Sequence, residues 1–365
     1  MTSSRWRTSE EIQLGTRHRI NSEILGEERD VLVRIPGVYD RSREAYPVFV
    51  LLDAEPALFL GGVGTVVQAS EWEAAIPEMI MVGVPNTDRI RDMLPTVATL
   101  QDERTHGGPG SPFLSFLIDE LLPAVDAEFR TQPYRVLAGT SASALTAVFA
   151  MLSRPGGFSA YLASSPCLDW DDRLVFRRLE EFDIQQFPVE TSLALWYGEN
   201  DNAGTGDACR AFDTALHGKK VSGLRWMCRR YDGAGHCPVD GFRHALAWTF
   251  EPWRVNEETL NQGIRGIARH YRGLSDRLGF EVTLSDAAHG DLAYRIMVQR
   301  GRPEDAVQWM QAVCEDHAPS ADLAFYHAFA LQRANRLDDA RAITRQALER
   351  DPENARLQSL AVSLH

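Results

Sequence analysis

Apolar positions along this chain follow two patterns, which change near residue 254. In the first part, short apolar, β-branched runs recur between turn-forming Gly, Pro, Asn and Asp. VLVRI (31–35), VFVLLD (48–53), MIMVGV (79–84), YRVLAG (134–139), LALWYG (193–198) and LRWMCRRY (224–231) predict strands. SPFLSFLIDELLPAVDAEF (111–129) and ALTAVFAMLS (144–153) predict helices between them. Strands alternating with helices give an α/β domain with a mostly parallel, doubly covered sheet. The unbroken apolar runs 48–52 and 79–84 suit strands buried on both faces.

From residue 255 the strand pattern stops, and Ala, Arg, Leu and Asp dominate, which predicts an all-helical second domain over 255–365. Gly301-Arg302-Pro303-Glu304-Asp305-Ala306 recurs as Asn335-Arg336-Leu337-Asp338-Asp339-Ala340, an offset of 34 residues. That is the period of tetratricopeptide (TPR) helical hairpins, which the segment resembles. Ala328, Ala340, Ala347 and Pro352 fall at that family's small-residue and Pro positions. The expectation is two TPR-like hairpins over about 287–352. Two repeats bury little core alone. They are expected to pack on a preceding helix (257–278), on the α/β domain, or on another chain, as a homodimer or with a protein partner.

Composition narrows the functional classes. With 44% hydrophobic and 24% charged residues the 365-residue chain is ordinary globular protein. A net charge of −13 argues against nucleic acid and against a membrane surface. Cys167, Cys209, Cys228, Cys237 and Cys314 are odd in number and contain no CxxC, so neither a disulfide framework nor a metal site is expected. MTSSRWRTSEEIQLG lacks the apolar core of a secretory leader, and no apolar run reaches the roughly 18 residues of a membrane span. A cytoplasmic location is expected.

The sharpest chemical signal is YRVLAGTSASALTAVFAML (134–152), a buried strand running through Gly139-Thr140-Ser141-Ala142-Ser143 into an Ala-rich helix. It resembles the nucleophile elbow G-x-S-x-G of α/β-hydrolases. Such a turn projects a serine hydroxyl above the sheet edge and brings helix N–H groups to a developing oxyanion. Ser143 and Ala144 stand where glycines are usual. The partners follow in the order that fold requires, Ser, then acid, then His. Glu199-Asn200-Asp201 follows the LALWYG strand, with Asp201 the first choice of acid and Glu199 the second. His236 lies on Asp232-Gly233-Ala234-Gly235-His236, between the last strand and the helix DGFRHALAWTF.

Further segments extend the resemblance over nearly the whole chain. They are Ser22 with Leu25-Gly26-Glu27-Glu28-Arg29, YPVFVLLDAEPAL (46–58), IPEMIMVGVPNTDRIRDMLPT (76–96), SSPCLDWDD (164–172) and HYRGLSDRLGFEV (270–282). Together with the elbow they are similar to the esterase group of α/β-hydrolases, nearest to its siderophore-esterase branch, with S-formylglutathione hydrolases as further relatives. The resemblance implies an α/β-hydrolase fold and a serine carboxylesterase acting on a small-molecule ester without a cofactor. By its pattern Ser141 is the nucleophile, His236 the base and Asp201 or Glu199 the acid. The backbone N–H groups of Ala142 and Ala54 line the oxyanion hole, and Glu55, Thr140, Trp170 and Arg89 are pocket residues. His106-Gly107-Gly108-Pro109-Gly110 looks like a lipase oxyanion loop but lies too late in the chain, and is expected as a flexible loop beside the site. Two other outcomes stay open: an acyltransferase using the same acyl-enzyme, and a weakened hydrolase fold that binds a partner through its helical part.

Overall fold

The apolar runs become the middle of one twisted sheet. A computed structural model describes residues 14–41, 44–99, 105–182, 187, 190–219, 221–315 and 319–364. Residues 1–13, on which the expectation about a leader mostly rests, lie outside it. The strands are β1 (Thr16–Ser22), β2 (Glu27–Arg34), β3 (Tyr46–Leu52), β4 (Ile80–Val84), β5 (Ala98–Thr99), β6 (Thr105–His106), β7 (Thr131–Thr140), β8 (Ala160–Ser164), β9 (Thr191–Gly198) and β10 (Leu224–Tyr231). β5 and β6 pair only with each other, and the other eight lie in the order β1-β2-β4-β3-β7-β8-β9-β10. β1–β2 and β2–β4 pair antiparallel; every pair from β4 to β10 is parallel. The expected mostly parallel α/β sheet is therefore present.

Its covering helices are α1 (Pro56–Val67), α2 (Arg89–Met93), α3 (Gly110–Ser115), α4 (Leu122–Glu128), α5 (Ala142–Ser153), α6 (Trp170–Glu181), α7 (Thr205–Lys219) and α8 (Val239–Thr249). The predicted helix over 111–129 is α3 and α4, joined by a π-helical stretch at Phe116–Leu121. Both faces of the sheet are buried, as the unbroken apolar runs required. On β3, Val48, Val50 and Leu52 join the core that holds Leu145 and Val148 of α5. Phe49, on the opposite face, meets Phe242 of α8 edge-on at 5.5 Å. Two strands carried no readable pattern. β1 is exposed at its first four positions, so no face alternates, and β8 is five residues rich in Ala and Ser.

The chain divides into two units, Met1–Val66 with Met79–Thr249, and Val67–Glu78 with Phe250–His365. The second contains α9 (Glu257–Asn261), α10 (Gly263–Leu278), α11 (Asp286–Tyr294), α12 (Pro303–Glu315), α13 (Ala321–Arg333), α14 (Leu337–Arg350) and α15 (Ala355–Ser363). The helix expected over 257–278 is broken at Gln262 into α9 and α10. The repeated hexapeptides share a backbone shape. Gly301 and Asn335 are both left-handed (φ 62° and 60°), and Ala306 and Ala340 are both fully buried. Asn tolerates that conformation better than other side chains with a Cβ, which explains how one copy replaces Gly. Pro352 lies in the turn before α15, whose start is set instead by the Asn354 cap on the Leu357 N–H. No helix of the described residues is long and apolar enough to cross a membrane.

His327 on α13 is buried, and its Nε2 has no hydrogen-bond partner among the described residues. Burial, then the charge of Arg336, hold its pKa below the ordinary imidazole value of 6.5. A depressed folded-state pKa means that the unfolded chain takes up the proton first. The contribution of His327 to stability is therefore level above pH 6.5 and falls as pH drops below it. The urea midpoint of the full chain should fall between pH 7.5 and pH 5.5, and His327→Phe should reduce that fall; an unchanged pH dependence would contradict this.

Candidate active site

The parallel strands end together on one edge of the sheet, the place where α/β proteins bind ligands. There β7 passes into α5 through Ser141, whose φ of 57° and ψ of −115° are rare for a residue with a side chain. The turn is tight enough that a Cβ on Gly139 would stand 2.4 Å from the Ser143 carbonyl. Ser141 N–H donates to Ser164 O at 2.8 Å, and Ser141 O accepts from Leu145 N–H at 3.1 Å. Ala142 is the first residue of α5, where a backbone N–H has no acceptor within the helix. The Ser141 hydroxyl lies 3.6 Å from the Cys167 thiol.

Of the two candidate acids, Asp201 meets His236: its Oδ1 lies 2.5 Å from His236 Nδ1. Its carboxylate also accepts from Ser165 Oγ (2.5 Å) and from the N–H groups of Gly198 (3.1 Å) and Asn202 (2.7 Å). Burial alone pushes its pKa up. The bonds from Ser165, His236, Gly198 and Asn202 outweigh that and leave it below the ordinary carboxylate value. Glu199 points elsewhere, accepting the Gly233 N–H at 2.8 Å beside Arg230. It braces the loop that carries His236. That loop is laced to the loop carrying Asp201 by Glu199 N–H to Tyr231 O (2.9 Å) and Asn200 N–H to Ala234 O (2.8 Å).

The Ser143 that replaces an elbow glycine has a partner. Its hydroxyl donates to Asp53 Oδ2 at 2.7 Å and accepts the Thr140 N–H at 2.8 Å. Asp53 (φ 54°) is buried and also holds Arg89 bidentately (2.8 and 2.9 Å) and Asn86 Nδ2 (2.8 Å). This ties the end of β3 to the elbow. Arg89 is thus an ion-paired residue with a partly exposed guanidinium, and its Nη1 has no hydrogen-bond partner among the described residues. Its helix is anchored through Arg91 and Asp92. Arg91 binds Glu27, whose carboxyl falls to about 2 through that bond first, and Asp92 binds the fully buried Arg29 at 2.6 Å.

The expected second oxyanion donor is corrected. Ala54 N–H extends the β3–β4 ladder and donates to Val84 O at 3.1 Å, so it is not free to meet an oxyanion. Glu55 is exposed, its N–H bonds Asp53 O, and its side chain accepts from Asn86 N–H at 3.2 Å. Trp170 is half-buried, with Nε1 3.3 Å from Thr96 Oγ1. The glycine loop, expected to be flexible, is packed: a Cβ on Gly107 would stand 2.2 Å from Thr96 O and 3.1 Å from the Trp170 ring, and one on Gly108 2.6 Å from Arg91 O. Sequence reading missed Asp53, Ser165, Cys167 and Cys237. Cys237 follows His236 directly, and its thiol interacts with the Ser141 backbone. Burial pushes both thiols up, so neither is a ready thiolate.

Residues 22–228, more than half of the chain, match the family model "Esterase: Putative esterase". The chain belongs to this esterase family. It is an ester hydrolase with the α/β-hydrolase fold. The esterase is 25% identical over 220 residues to the ferri-bacillibactin esterase BesA of Bacillus subtilis (strain 168), covering 53% of this chain and 74% of that one. It resembles the solved IroE-like serine hydrolase of Shewanella oneidensis at TM-score 0.72 and 27% identity, over 81% of this chain and 98% of that one. A likeness of fold alone, at TM-score 0.63 and 17% identity, joins the esterase to an uncharacterised protein of Capnocytophaga ochracea. It spans 95% of this chain and 99% of that one.

Because the elbow has no room at residue 139, Gly139→Ala should displace Ser143 and the start of α5. The expected result is a destabilisation of about 1–3 kcal/mol in urea unfolding, with loss of ester turnover in the protein that remains folded. Wild-type stability and turnover in that variant would contradict the packing described.

Proposed function

We propose that this esterase hydrolyses carboxylic esters through Ser141, His236 and Asp201. The contact that carries the reading is the 2.5 Å approach of His236 Nδ1 to an ionised, buried Asp201, beside a serine held at φ 57°. With Nδ1 engaged by the carboxylate, His236 Nε2 is the nitrogen left to take the Ser141 proton. A rotation of the serine side chain away from Cys167 aims its hydroxyl at a bound carbonyl. As the carbonyl carbon is attacked, negative charge grows on its oxygen and is met by the Ala142 N–H at the positive end of α5. Collapse of that intermediate expels the alcohol, which takes the proton from His236 and leaves an acyl group on Ser141. Water, deprotonated by the same imidazole, then releases the acid and restores the serine. Asp201 keeps the imidazole in the tautomer these steps need and stabilises its cation.

The substrate class is a small-molecule ester of siderophore type. Support comes from the likeness to BesA, whose name gives ferri-bacillibactin as its substrate. Arg89 Nη1 and the half-buried Trp170 offer a donor and an aromatic wall on the same sheet edge.

Hydrolysis of p-nitrophenyl butyrate and of ferri-bacillibactin should be measured for four proteins. Ser141→Ala should lower kcat by at least about 10³-fold and Asp201→Asn by about 10²–10⁴-fold, whereas Glu199→Gln should keep most of its turnover. Full activity of Ser141→Ala would overturn the nucleophile. Loss in Glu199→Gln with a fully active Asp201→Asn would transfer the acid to Glu199. Cleavage of the nitrophenyl ester without the siderophore would overturn the substrate class alone.

A further inference from the structure

We propose that Ser165 is a positioning residue of this hydrolytic site, its hydroxyl fixing both the Asp201 carboxylate and the backbone that follows His236. The inference rests on the reading of Ser141, His236 and Asp201 given above.

β8 lies between the strand that ends at the nucleophile and the strand that ends at the acid, so its last residues reach all three segments. Ser164 O accepts the Ser141 N–H at 2.8 Å. Ser165 N–H donates to Trp196 O at 2.7 Å, inside the strand that leads to Asp201. Ser165 Oγ lies 2.5 Å from Asp201 Oδ2 and 2.9 Å from Cys237 N. An ionised carboxylate only accepts and a backbone N–H only donates, so both roles of the single hydroxyl are assigned. It donates to the acid and accepts from the residue next to the base. One carboxylate oxygen therefore faces His236 and the other faces Ser165, which fixes the plane of the carboxylate.

Ser165 is fully buried and held at φ 47°, a left-handed conformation costly for a residue with a Cβ. Cys237, which it binds, is also left-handed at φ 56°. A backbone requirement alone would be met better by glycine. What serine adds is the hydroxyl, whose dipole turns its positive end toward the carboxylate that faces the imidazole. Deleting that dipole favours the imidazolium, so the acid limb of kcat/KM should move to higher pH. Ser165 is too deeply buried to touch substrate, so KM should be spared.

Ser165→Ala and Ser165→Gly separate the hydroxyl from the backbone. With p-nitrophenyl butyrate, both variants should lose kcat by roughly ten- to a hundred-fold at nearly constant KM. Both should also shift the acid limb of kcat/KM upward by about half a unit or more. Thermal melts establish that each is folded, and Ser165→Gly relieves the strained φ if the alanine variant does not fold. Wild-type kcat and an unmoved acid limb in the glycine variant would overturn the proposal and leave Ser165 a backbone role only. Parallel Ser141→Ala and Asp201→Asn variants distinguish the two levels. If they are inactive while the Ser165 variants match wild type, the positioning role alone fails. If Ser141→Ala is fully active, the reading of the site itself fails.

Discussion

The site depends on one strained turn. Ser141 occupies a backbone conformation that costs on the order of 1–3 kcal/mol for a residue with a side chain. It persists because its neighbours allow no other. Gly139 gives α5 room to lie against the strand, Ser164 O holds the Ser141 N–H, and Ser143 binds both Thr140 N–H and the Asp53 carboxylate. Asp53, Ser165 and Cys237 share the positive φ. Four positive-φ residues with side chains thus stand at or near this site, just after β3, β7 and β8 and in the loop after β10.

Around that turn, charge is arranged so that burial does not neutralise it. Asp201 is nearly enclosed, yet four donors hold it ionised. Asp53 is buried against an arginine that grips both its oxygens. The Arg29–Asp92 pair is buried with Glu27 and Arg91 closing the network. Such pairs contribute little net stability compared with well-packed apolar groups, but breaking one leaves an uncompensated charge. They fix the loops after β3 and β4 in one arrangement about the elbow.

Much of this was legible in the sequence. Apolar runs of five or six residues marked the central strands because those strands are buried on both faces. β1 escaped because its side chains are mostly exposed, and β8 because Ala and Ser carry no pattern. At the candidate site, the strand–Ser–helix context pointed to Ser141, and chain order pointed to His236 with a choice of two acids. Of the two, Asp201 faces the imidazole, a matter of loop geometry that spacing does not encode. The Ser143–Asp53 bond joins residues far apart in sequence, so the serine read as a departure from glycine and not as a donor. Ala54 failed for the same kind of reason. Its N–H exists, but the register of β3 on β4 commits it to Val84 O.

The central claim is that Ser141 is the activated nucleophile, and peptide mapping after reaction with a fluorophosphonate tests it most directly. One phosphonate is expected, carried on Ser141 and absent when the protein is first saturated with ester substrate. A label on Cys167, 3.6 Å away, or no label on folded protein that still turns over ester, would contradict it.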